Sequence, residues 1–335
     1  MANSLPHPQN RQPVSHIRGL AISGAFAAAV MALSLSGVGC SGTPAPEGGT
    51  GQPTSAPVMP TKPSPQVNAQ KFVYGHQHPR QHGYLVTPKK LSPAKKIPLV
   101  VFFHGGGWQE KSTARSAAPV VNDLAQHGVA VWNVEYRGVT LNAKDAPGGW
   151  PMTYNDVAAA IDFIPQLAHE SRIPLDISNV VVAGYSAGGN LSTWACSRPA
   201  LPAKAPGAAP KFRVDKCVGI AGVYDMHLAF RQHDKFVRTL LGGTPRQVPQ
   251  RYFEASPADN VNDKARIVVL HGKNDKTVNA DEVKYFMARA RAHGLSIETV
   301  LLDDAEHYSW SKPEGPQWKA ARKAILQQIH TETNP

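Results

Sequence analysis

The sequence has few cysteines, few aromatic residues and no block of like charges. Only 3 of its 335 residues are cysteine, aromatic residues make up 7% and charged residues 18%. A hydrophobic content of 42% together with so few charged residues is ordinary for a globular protein and excludes a disordered or fibrous one. The formal net charge of +11 is spread along the chain, without a basic run or a basic stripe interleaved with aromatic residues. We therefore interpret the charge as a basic solvated surface and expect no nucleic-acid partner.

The first 39 residues have the composition of an export signal. Arg11 and Arg18 precede an Ala-rich apolar segment that ends at Cys40. A basic start, an apolar middle and small residues before a cleavage point are typical of exported proteins, whereas the many Gly and Ser residues disfavour a permanent membrane helix. The segment resembles a bacterial lipoprotein signal, in which the cysteine after the cleavage point is lipidated, although Gly37 stands where that family usually carries Leu. We expect export to the bacterial cell envelope with a lipid anchor at Cys40, and ordinary secretion is the alternative.

Residues 40–70 consist mostly of Pro, Gly, Ser and Thr. Such a composition cannot build a core, so we interpret this stretch as a tether. A tether directly after a lipid anchor would hold the folded domain clear of the membrane, which is consistent with lipidation at Cys40. The folded domain is then expected over residues 71–335.

Two further cysteines lie inside this folded part. If Cys40 carries lipid, Cys196 and Cys217 remain as an even pair that flanks one loop. Exported proteins fold in an oxidising compartment, where such pairs form disulfides. We predict a disulfide between Cys196 and Cys217, and two buried free thiols are the alternative.

The folded part alternates between short apolar runs and amphipathic stretches. Continuous apolar runs are typical of strands buried on both faces, and they occur at residues 97–103, 129–135, 180–183, 217–221, 266–270 and 297–302. Helical patterns lie between them, at residues 114–127, 155–168, 187–196, 280–293 and 318–329. This alternation predicts an α/β domain with a mostly parallel sheet and helices on both faces. A weaker hairpin, residues 71–74 with 84–87, is expected to add antiparallel strands at one edge.

The chemistry of such a sheet is expected where its strands end. The strand at 180–183 is followed by "GYSAGGN", a G-x-S-x-G pattern that contains Gly184, Ser186 and Gly188. A sharp turn from strand to helix needs residues without side chains around the serine, and it exposes the hydroxyl at a helix N-terminus. Ser186 is therefore our candidate nucleophile.

A serine hydroxyl needs a base, and the partners in this arrangement follow in the order Ser, acid, His. Asp275 follows the strand at 266–270, and His307 follows the last strand. The rivals are His271, which ends the strand just before the acid, and three acids on the histidine's own loop: Asp303, Asp304 and Glu306. We favour Asp275 because an acid on the histidine's own loop reaches back to the ring awkwardly. We favour His307 because a histidine inside the acid turn more plausibly packs or bonds locally.

The stretch "VVFFHGGGWQ" ends an apolar strand with three consecutive glycines. A plain linker is one interpretation, but an apolar strand and Trp108 enclose the run. When Ser186 attacks a carbonyl, N–H donors must meet the negative charge that develops on its oxygen. Glycines allow backbone N–H groups to face that oxygen. We predict that Gly106, Gly107 and Ala187, the residue after the nucleophile, form this oxyanion hole.

These motifs together resemble the α/β-hydrolase superfamily, in particular its HGGG-type esterases and lipases and the branch of kynurenine formamidase-like and feruloyl-esterase-like proteins. The residues that carry the resemblance are His104-Gly105-Gly106-Gly107-Trp108, Gly184-Tyr185-Ser186-Ala187-Gly188-Gly189-Asn190, Asp275, His307, "YGHQHPRQ" and "WPMTYNDVAAAIDFI". The resemblance implies an α/β-hydrolase fold and serine-dependent hydrolysis of carboxylic esters or related acyl compounds, with no metal or cofactor. Tyr185 departs from hormone-sensitive-lipase-type members, which have an acid there. Gly107 departs from formamidase-type members, which often carry Tyr.

The sequence thus predicts an exported serine esterase for small to medium acyl groups, with a triad of Ser186, His307 and Asp275. An arylformamidase or small-amide hydrolase on the same fold is one alternative, and a cell-surface lipoprotein without the chemistry is another. The expected partners are a small-molecule ester and, through Cys40, the membrane. Residues 223–264 are longer than a plain crossover and rich in aromatic residues, so we expect a small lid or pocket wall there.

Overall fold

A computed structural model describes residues 66–92, 94–141 and 146–330, and these residues form an eight-stranded sheet with helices packed against it. The strands are β1 Val67–Val73, β2 His82–Pro88, β3 Ile97–Phe103, β4 Ala130–Val134, β5 Leu175–Tyr185, β6 Lys216–Ile220, β7 Arg266–Gly272 and β8 Glu298–Leu302. Their order across the sheet is β1-β2-β4-β3-β5-β6-β7-β8. Strands β3 to β8 are parallel, whereas β1 and β2 run antiparallel at one edge. The predicted export signal, Cys40 and residues 41–65 of the predicted tether lie outside the described residues.

Helices cover both faces of this sheet. They are α1 Ala118–Gln126, α2 Met152–Asp162, α3 Ile164–Ser171, α4 Ala187–Ser197, α5 Met226–Arg231, α6 Val237–Leu241, α7 Pro249–Ala255, α8 Asp281–Ala292 and α9 Pro316–His330. Alternate residues of β3 point into two separate cores: Leu99 and Val101 join the core under α2, α3, α4 and α8, and Val100 joins the core under α1 and α9. Among the described residues, no helix combines the length and the hydropathy that a bilayer span requires.

The α/β fold with a mostly parallel sheet is confirmed, and the strand bounds agree closely with the apolar runs. β3 has the predicted bounds, and the edge hairpin pairs antiparallel as expected. β5 is longer than predicted because residues 175 and 176 also pair with β3, across a register shift between Pro98 and Leu99. β1 begins at Val67, four residues before the expected start, because pairing with β2 orders a mostly exposed, polar segment that shows no apolar pattern.

Prolines explain why two of the predicted helices differ from the helices in the structure. The helical pattern at 155–168 is two helices, α2 and α3, which meet at Phe163. Pro165 stands in the first turn of α3, where its missing N–H leaves no helical bond unmade. The pattern at 114–127 likewise begins as a 3-10 turn, Ala114–Ala117, before α1 starts with Pro119 in its first turn.

The segment at 223–264 folds into three short helices, α5, α6 and α7. Its tyrosines Tyr224 and Tyr252 are buried in the core, so they stabilise the segment and do not face solvent. A disulfide joins Cys196 of α4 to Cys217 of β6, with Cα atoms 6.3 Å apart. This bond ties the helix that follows Ser186 to a central strand.

Candidate active site

Ser186 occupies a strained turn between β5 and α4. Its backbone has φ 57° and ψ −119°, a region that a residue with a side chain rarely adopts. The glycines around it are required by close packing. A Cβ atom on Gly188 would lie 1.9 Å from the carbonyl oxygen of Phe103, and one on Gly184 would lie 2.1 Å from the carbonyl oxygen of Gly188. The G-x-S-x-G spacing is therefore what allows the nucleophile turn to pack against the end of β3.

The structure brings Ser186, His307 and Asp275 into one chain of hydrogen bonds. The Oγ atom of Ser186 lies 2.9 Å from Nε2 of His307, and Nδ1 of His307 lies 2.7 Å from Oδ2 of Asp275. The other carboxylate oxygen of Asp275 accepts from the backbone N–H groups of Thr277 and Val278, at 2.8 and 2.9 Å. These partners fit the tautomer in which Nδ1–H donates to Asp275 and Nε2 accepts from the Ser186 hydroxyl.

The surroundings of Asp275 keep its carboxyl group ionised. Burial by itself would raise its pKa, but the hydrogen bond and charge of His307 act against burial. The N–H groups of Val278 and Thr277 act in the same direction, and the net result is a pKa below the ordinary value. Asp275 is therefore an anion at neutral pH, next to a ring that can become a cation.

The rival residues have other partners. His271 is fully buried, and its Nε2 atom lies 3.0 Å from the carbonyl oxygen of Val278. Asp303 forms an exposed ion pair with Lys273. Glu306 caps the 3-10 turn that begins at His307. Asp304 lies exposed on the same loop.

The glycine loop lies directly against the nucleophile. Gly106 and Gly107 have φ values of +114° and +63°, and a Cβ atom on Gly105 would lie 3.1 Å from Cβ of Ser186. Among the described residues we find no hydrogen-bond acceptor for the N–H groups of Gly106, Gly107 or Ala187. All three residues line the same cavity as Ser186. These N–H groups are available to an oxygen atom bound in that cavity.

A partly buried ion pair that the sequence analysis missed holds the segment after the glycine loop. Arg80 donates from Nη1 to Glu135 at 2.8 Å and to the carbonyl oxygen of Ser112 at 3.1 Å, and its Nη2 donates to the carbonyl oxygen of Glu110. The second oxygen of Glu135 accepts from the N–H of Ala114 at 2.9 Å. Arg80 comes from the turn between β1 and β2, so the edge hairpin braces residues 110–114. Contacts over such a separation leave no periodic signal in a sequence.

Two adjoining cavities open around the triad. The first, of about 350 Å³, contains Ser186, His307 and the glycine loop. The second, of about 490 Å³, is lined mostly by polar residues, including the triad's Asp275. The two share Asp234, Phe236 and other residues as a common wall. No group of three or more His, Cys, Asp or Glu side chains that could hold a metal occurs in the part of the chain that the structure describes.

A second buried acid, also missed in the sequence, lines the larger cavity. Glu282, in the first turn of α8, is 1% exposed, and its Oε2 atom accepts from the N–H groups of Tyr224 and Asp225. Its Oε1 atom has no partner among the described residues. Burial raises the pKa of Glu282 to about 8, against the opposing effect of the two N–H donors. An acid at the start of a helix is ordinarily a solvated group, so the sequence carries no signal of this burial.

Comparison with known proteins places the fold and the family. The family model BD-FAE matches residues 85–289, which include the glycine loop, Ser186 and Asp275 but not His307. Esterase LipC of Mycobacterium tuberculosis is 30% identical over 257 residues, which are 73% of this chain and 62% of LipC. The probable carboxylic ester hydrolase LipM of the same organism is 30% identical over 225 residues, which are 65% of this chain and 50% of LipM. The chain thus spans between half and two thirds of the length of these curated relatives.

The fold is also that of solved esterases. A crystal structure of inhibited esterase B from Lactobacillus rhamnosis superposes with a TM-score of 0.65 at 19% identity. The match covers 80% of this chain and 88% of esterase B. At that identity the likeness concerns the fold alone.

Proposed function

The chain belongs to the BD-FAE family and has the α/β-hydrolase fold, and from this premise we propose that it is a serine hydrolase that cleaves carboxylic esters. The observation that carries the proposal is the unbroken hydrogen-bond chain from Ser186 through His307 to Asp275. These hydrogen-bonded side chains lie beside the backbone N–H groups of Gly106, Gly107 and Ala187, which have no acceptor within the described residues. Relatives named as esterases support the same activity.

In the first step the Oγ atom of Ser186 attacks the ester carbonyl carbon. His307 accepts the hydroxyl proton at Nε2, and the ring becomes a cation. Asp275 holds Nδ1–H in place and stabilises that cation. Its lowered pKa serves this role because a protonated Asp275 would offer the ring no negative charge.

The negative charge that develops on the carbonyl oxygen needs donors that are already in place. The N–H groups of Gly106, Gly107 and Ala187 are suited to this role because they line the cavity beside Ser186. Loss of one such donor typically raises the barrier of an acyl-transfer enzyme by about 3 kcal/mol. The positive φ values at Gly106 and Gly107 explain why this loop consists of glycine.

The intermediate then collapses, and the carbon–oxygen bond to the alcohol breaks. His307 returns the proton to the leaving oxygen, and the acyl group remains on Ser186. A water molecule next attacks the acyl-enzyme, with His307 again as the base, and the carboxylic acid leaves. As the acid leaves, His307 returns the water's proton to the Oγ atom of Ser186, so the two half-reactions together restore the starting enzyme.

The size of the smaller cavity supports a proposal about the acyl group. Its volume of about 350 Å³ is at the low end of ordinary ligand sites, which range from about 300 to 1,000 Å³. A small to medium acyl group fits such a volume. We therefore propose short and medium esters as substrates.

We also propose that the protein is exported and anchored by lipid at Cys40. The N-terminal sequence supports this location, and so does the disulfide between Cys196 and Cys217, a bond typical of oxidising compartments. The test is fractionation of cells fed an alkyne-labelled fatty acid. We expect label and membrane association in the wild type and neither in Cys40→Ser. Unlabelled wild-type protein in the medium would indicate ordinary secretion.

A panel of p-nitrophenyl esters tests the activity. Purified wild-type protein and Ser186→Ala are assayed on acetate, butyrate, octanoate and palmitate esters, beside an N-formyl aryl amine. We expect the highest kcat/KM on butyrate or octanoate, and loss of all ester turnover in Ser186→Ala. Faster turnover of the formamide would move the assignment to an amide hydrolase.

A further inference from the structure

Tyr185, the residue directly before Ser186, forms a hydrogen bond to the segment that carries His307. Its hydroxyl donates to the backbone carbonyl oxygen of His307 at 2.7 Å. The two rings also lie together, with centroids 5.3 Å apart and planes inclined by 38°. Neighbouring residues of one turn thus hold His307 at two points: Ser186 contacts the imidazole, and Tyr185 contacts the backbone.

The same tyrosine packs against the glycine loop. A Cβ atom on Gly105 would lie 2.9 Å from the Cδ1 atom of Tyr185, so the ring occupies the space beside that glycine. Tyr185 is therefore in contact with both segments that must meet Ser186, the one with the base and the one with the oxyanion donors. The side chain lines the cavity that contains Ser186 and His307.

The phenol remains a hydrogen-bond donor at every working pH. Burial, with smaller contributions from Asp275 and Tyr308, raises the pKa of Tyr185 above its ordinary value. A phenol is already protonated near neutral pH, and the raised pKa keeps it a donor to the His307 carbonyl oxygen at alkaline pH as well.

The loop of His307 has other anchors, which lie at residues on either side of it, including the cap formed by Glu306. Ala305 and Trp310 are buried, and the Ala305 carbonyl packs against Gly272. These contacts fix the course of the loop on either side of His307. The hydrogen bond from Tyr185 is made at His307 itself, the residue whose imidazole contacts both Asp275 and the Ser186 hydroxyl.

We propose that Tyr185 is a positioning residue, whose hydroxyl holds the backbone of His307 at the distance that keeps Nε2 in hydrogen-bond contact with Ser186. This inference rests on the proposed function, since it assigns a role in the same reaction. It also accounts for a tyrosine at a position where the hormone-sensitive-lipase type of esterase has an acid.

The test removes the hydroxyl and keeps the ring. In Tyr185→Phe we expect kcat on p-nitrophenyl butyrate to fall about fivefold, the equivalent of one hydrogen bond, with KM unchanged within twofold. Rates are counted per titrated active site, so that misfolded protein does not contribute. The rate of Ser186 labelling by a phosphonate ester should fall by a similar factor.

Tyr252→Phe is the matched control. Tyr252 is buried, donates from its hydroxyl to the backbone carbonyl oxygen of Gly243 at 3.0 Å, and lines neither cavity. It therefore loses the same kind of hydrogen bond away from the site. We expect Tyr252→Phe to lower the melting temperature by about as much as Tyr185→Phe does, and to leave kcat unchanged.

A second variant keeps the para donor. With 4-aminophenylalanine at position 185, an N–H replaces the O–H, and we expect kcat within twofold of the wild type. This variant also tests the proposal if Tyr185→Phe does not fold. A fivefold or larger loss of kcat in the folded 4-aminophenylalanine variant contradicts the proposal. Equal kcat and labelling rates in Tyr185→Phe and the wild type overturn it directly.

The two proposals fail in different ways. If the wild type hydrolyses no ester, or if Ser186→Ala keeps the activity, the proposed function is wrong. If the wild type is active, Ser186→Ala is inactive and Tyr185→Phe equals the wild type, only the role of Tyr185 is wrong.

Discussion

Asp275 is 2.7 Å from Nδ1 of His307, its partner 32 residues away, but 3.6 Å from Nε2 of His271, only four residues away in the chain. Sheet topology explains why Asp275 bonds to His307 and not to His271. β7 and β8 are adjacent parallel strands, so the segments after them meet at one edge of the sheet. Asp275 and His307 belong to those two segments, whereas His271 still lies within β7 and bonds to Val278.

Replacing Asp275 with Asn should lower kcat about 10³- to 10⁴-fold. The amide can donate to Nδ1 of His307 and so favour the wrong tautomer, with Nε2 protonated towards Ser186. Asp303→Asn is the matched control because Asp303 is an exposed acid on the loop of His307 that forms an ion pair with Lys273. Steady-state kinetics on p-nitrophenyl butyrate should show Asp303→Asn within twofold of the wild type. Equal losses in both variants would contradict the assignment of Asp275.

Replacing Gly107 with Ala should lower kcat about 10²- to 10³-fold, the loss expected when an oxyanion donor moves. The φ of +63° disfavours Ala, and the new Cβ would lie 3.0 Å from the Phe236 ring. Gly294→Ala is the control: Gly294 has a φ of +78°, and no described atom lies within 4 Å of its added Cβ. Both variants should lose about 1–2 kcal/mol of unfolding free energy. An unaffected kcat in Gly107→Ala would argue against Gly107 as a donor.

Glu282 should make the protein less stable as the pH rises. Its pKa is about 8 in the folded protein and about 4.5 when the side chain is solvated. Between these values the unfolded chain releases a proton that the folded chain keeps, so the free energy of unfolding falls with pH, by at most about 1.4 kcal/mol per pH unit. Glu282→Gln removes this dependence, and its stability relative to the wild type should increase from pH 5 to pH 8. Urea unfolding at four pH values measures the difference, and a constant difference would refute the assignment.

Removing the disulfide should lower stability without changing the chemistry. Cys196 and Cys217 are 21 residues apart, a separation for which loop closure predicts about 3 kcal/mol of stabilisation. The double variant Cys196→Ala/Cys217→Ala should therefore unfold at lower urea concentration, with kcat at 25 °C within twofold of the wild type. Reductant should destabilise the wild type only. An equal effect of reductant on both proteins would contradict this prediction.

The sequence predicts what depends on local pattern. The apolar run at 97–103 contains the bounds of β3, and the glycines around Ser186 predict the tight turn because close packing of Gly184 and Gly188 tolerates no side chain. The chain order Ser, acid, His selects Asp275 and His307 because each follows a parallel strand. These features lie within one strand, one turn or one strand end.

Long-range polar contacts between residues outside the catalytic motifs, or made by a motif residue other than the triad members, are not predicted in this way. Arg80 reaches Glu135 across 55 positions, and Tyr185 reaches the carbonyl of His307 across 122. Nothing in the local sequence around Arg80 or Tyr185 indicates that its side chain makes a contact so far along the chain. The burial of Glu282 likewise depends on how α8 packs against the segment after β6, which no local pattern encodes.

Intact-protein mass measurement after treatment with a p-nitrophenyl phosphonate ester tests the central claim most directly. The account predicts a single adduct, mapped by peptide analysis to Ser186, with one equivalent of p-nitrophenol released. Labelling should be absent in Ser186→Ala and slowed at least 100-fold in His307→Ala. An adduct on another residue, or undiminished labelling of His307→Ala, would contradict the triad on which the proposed function depends.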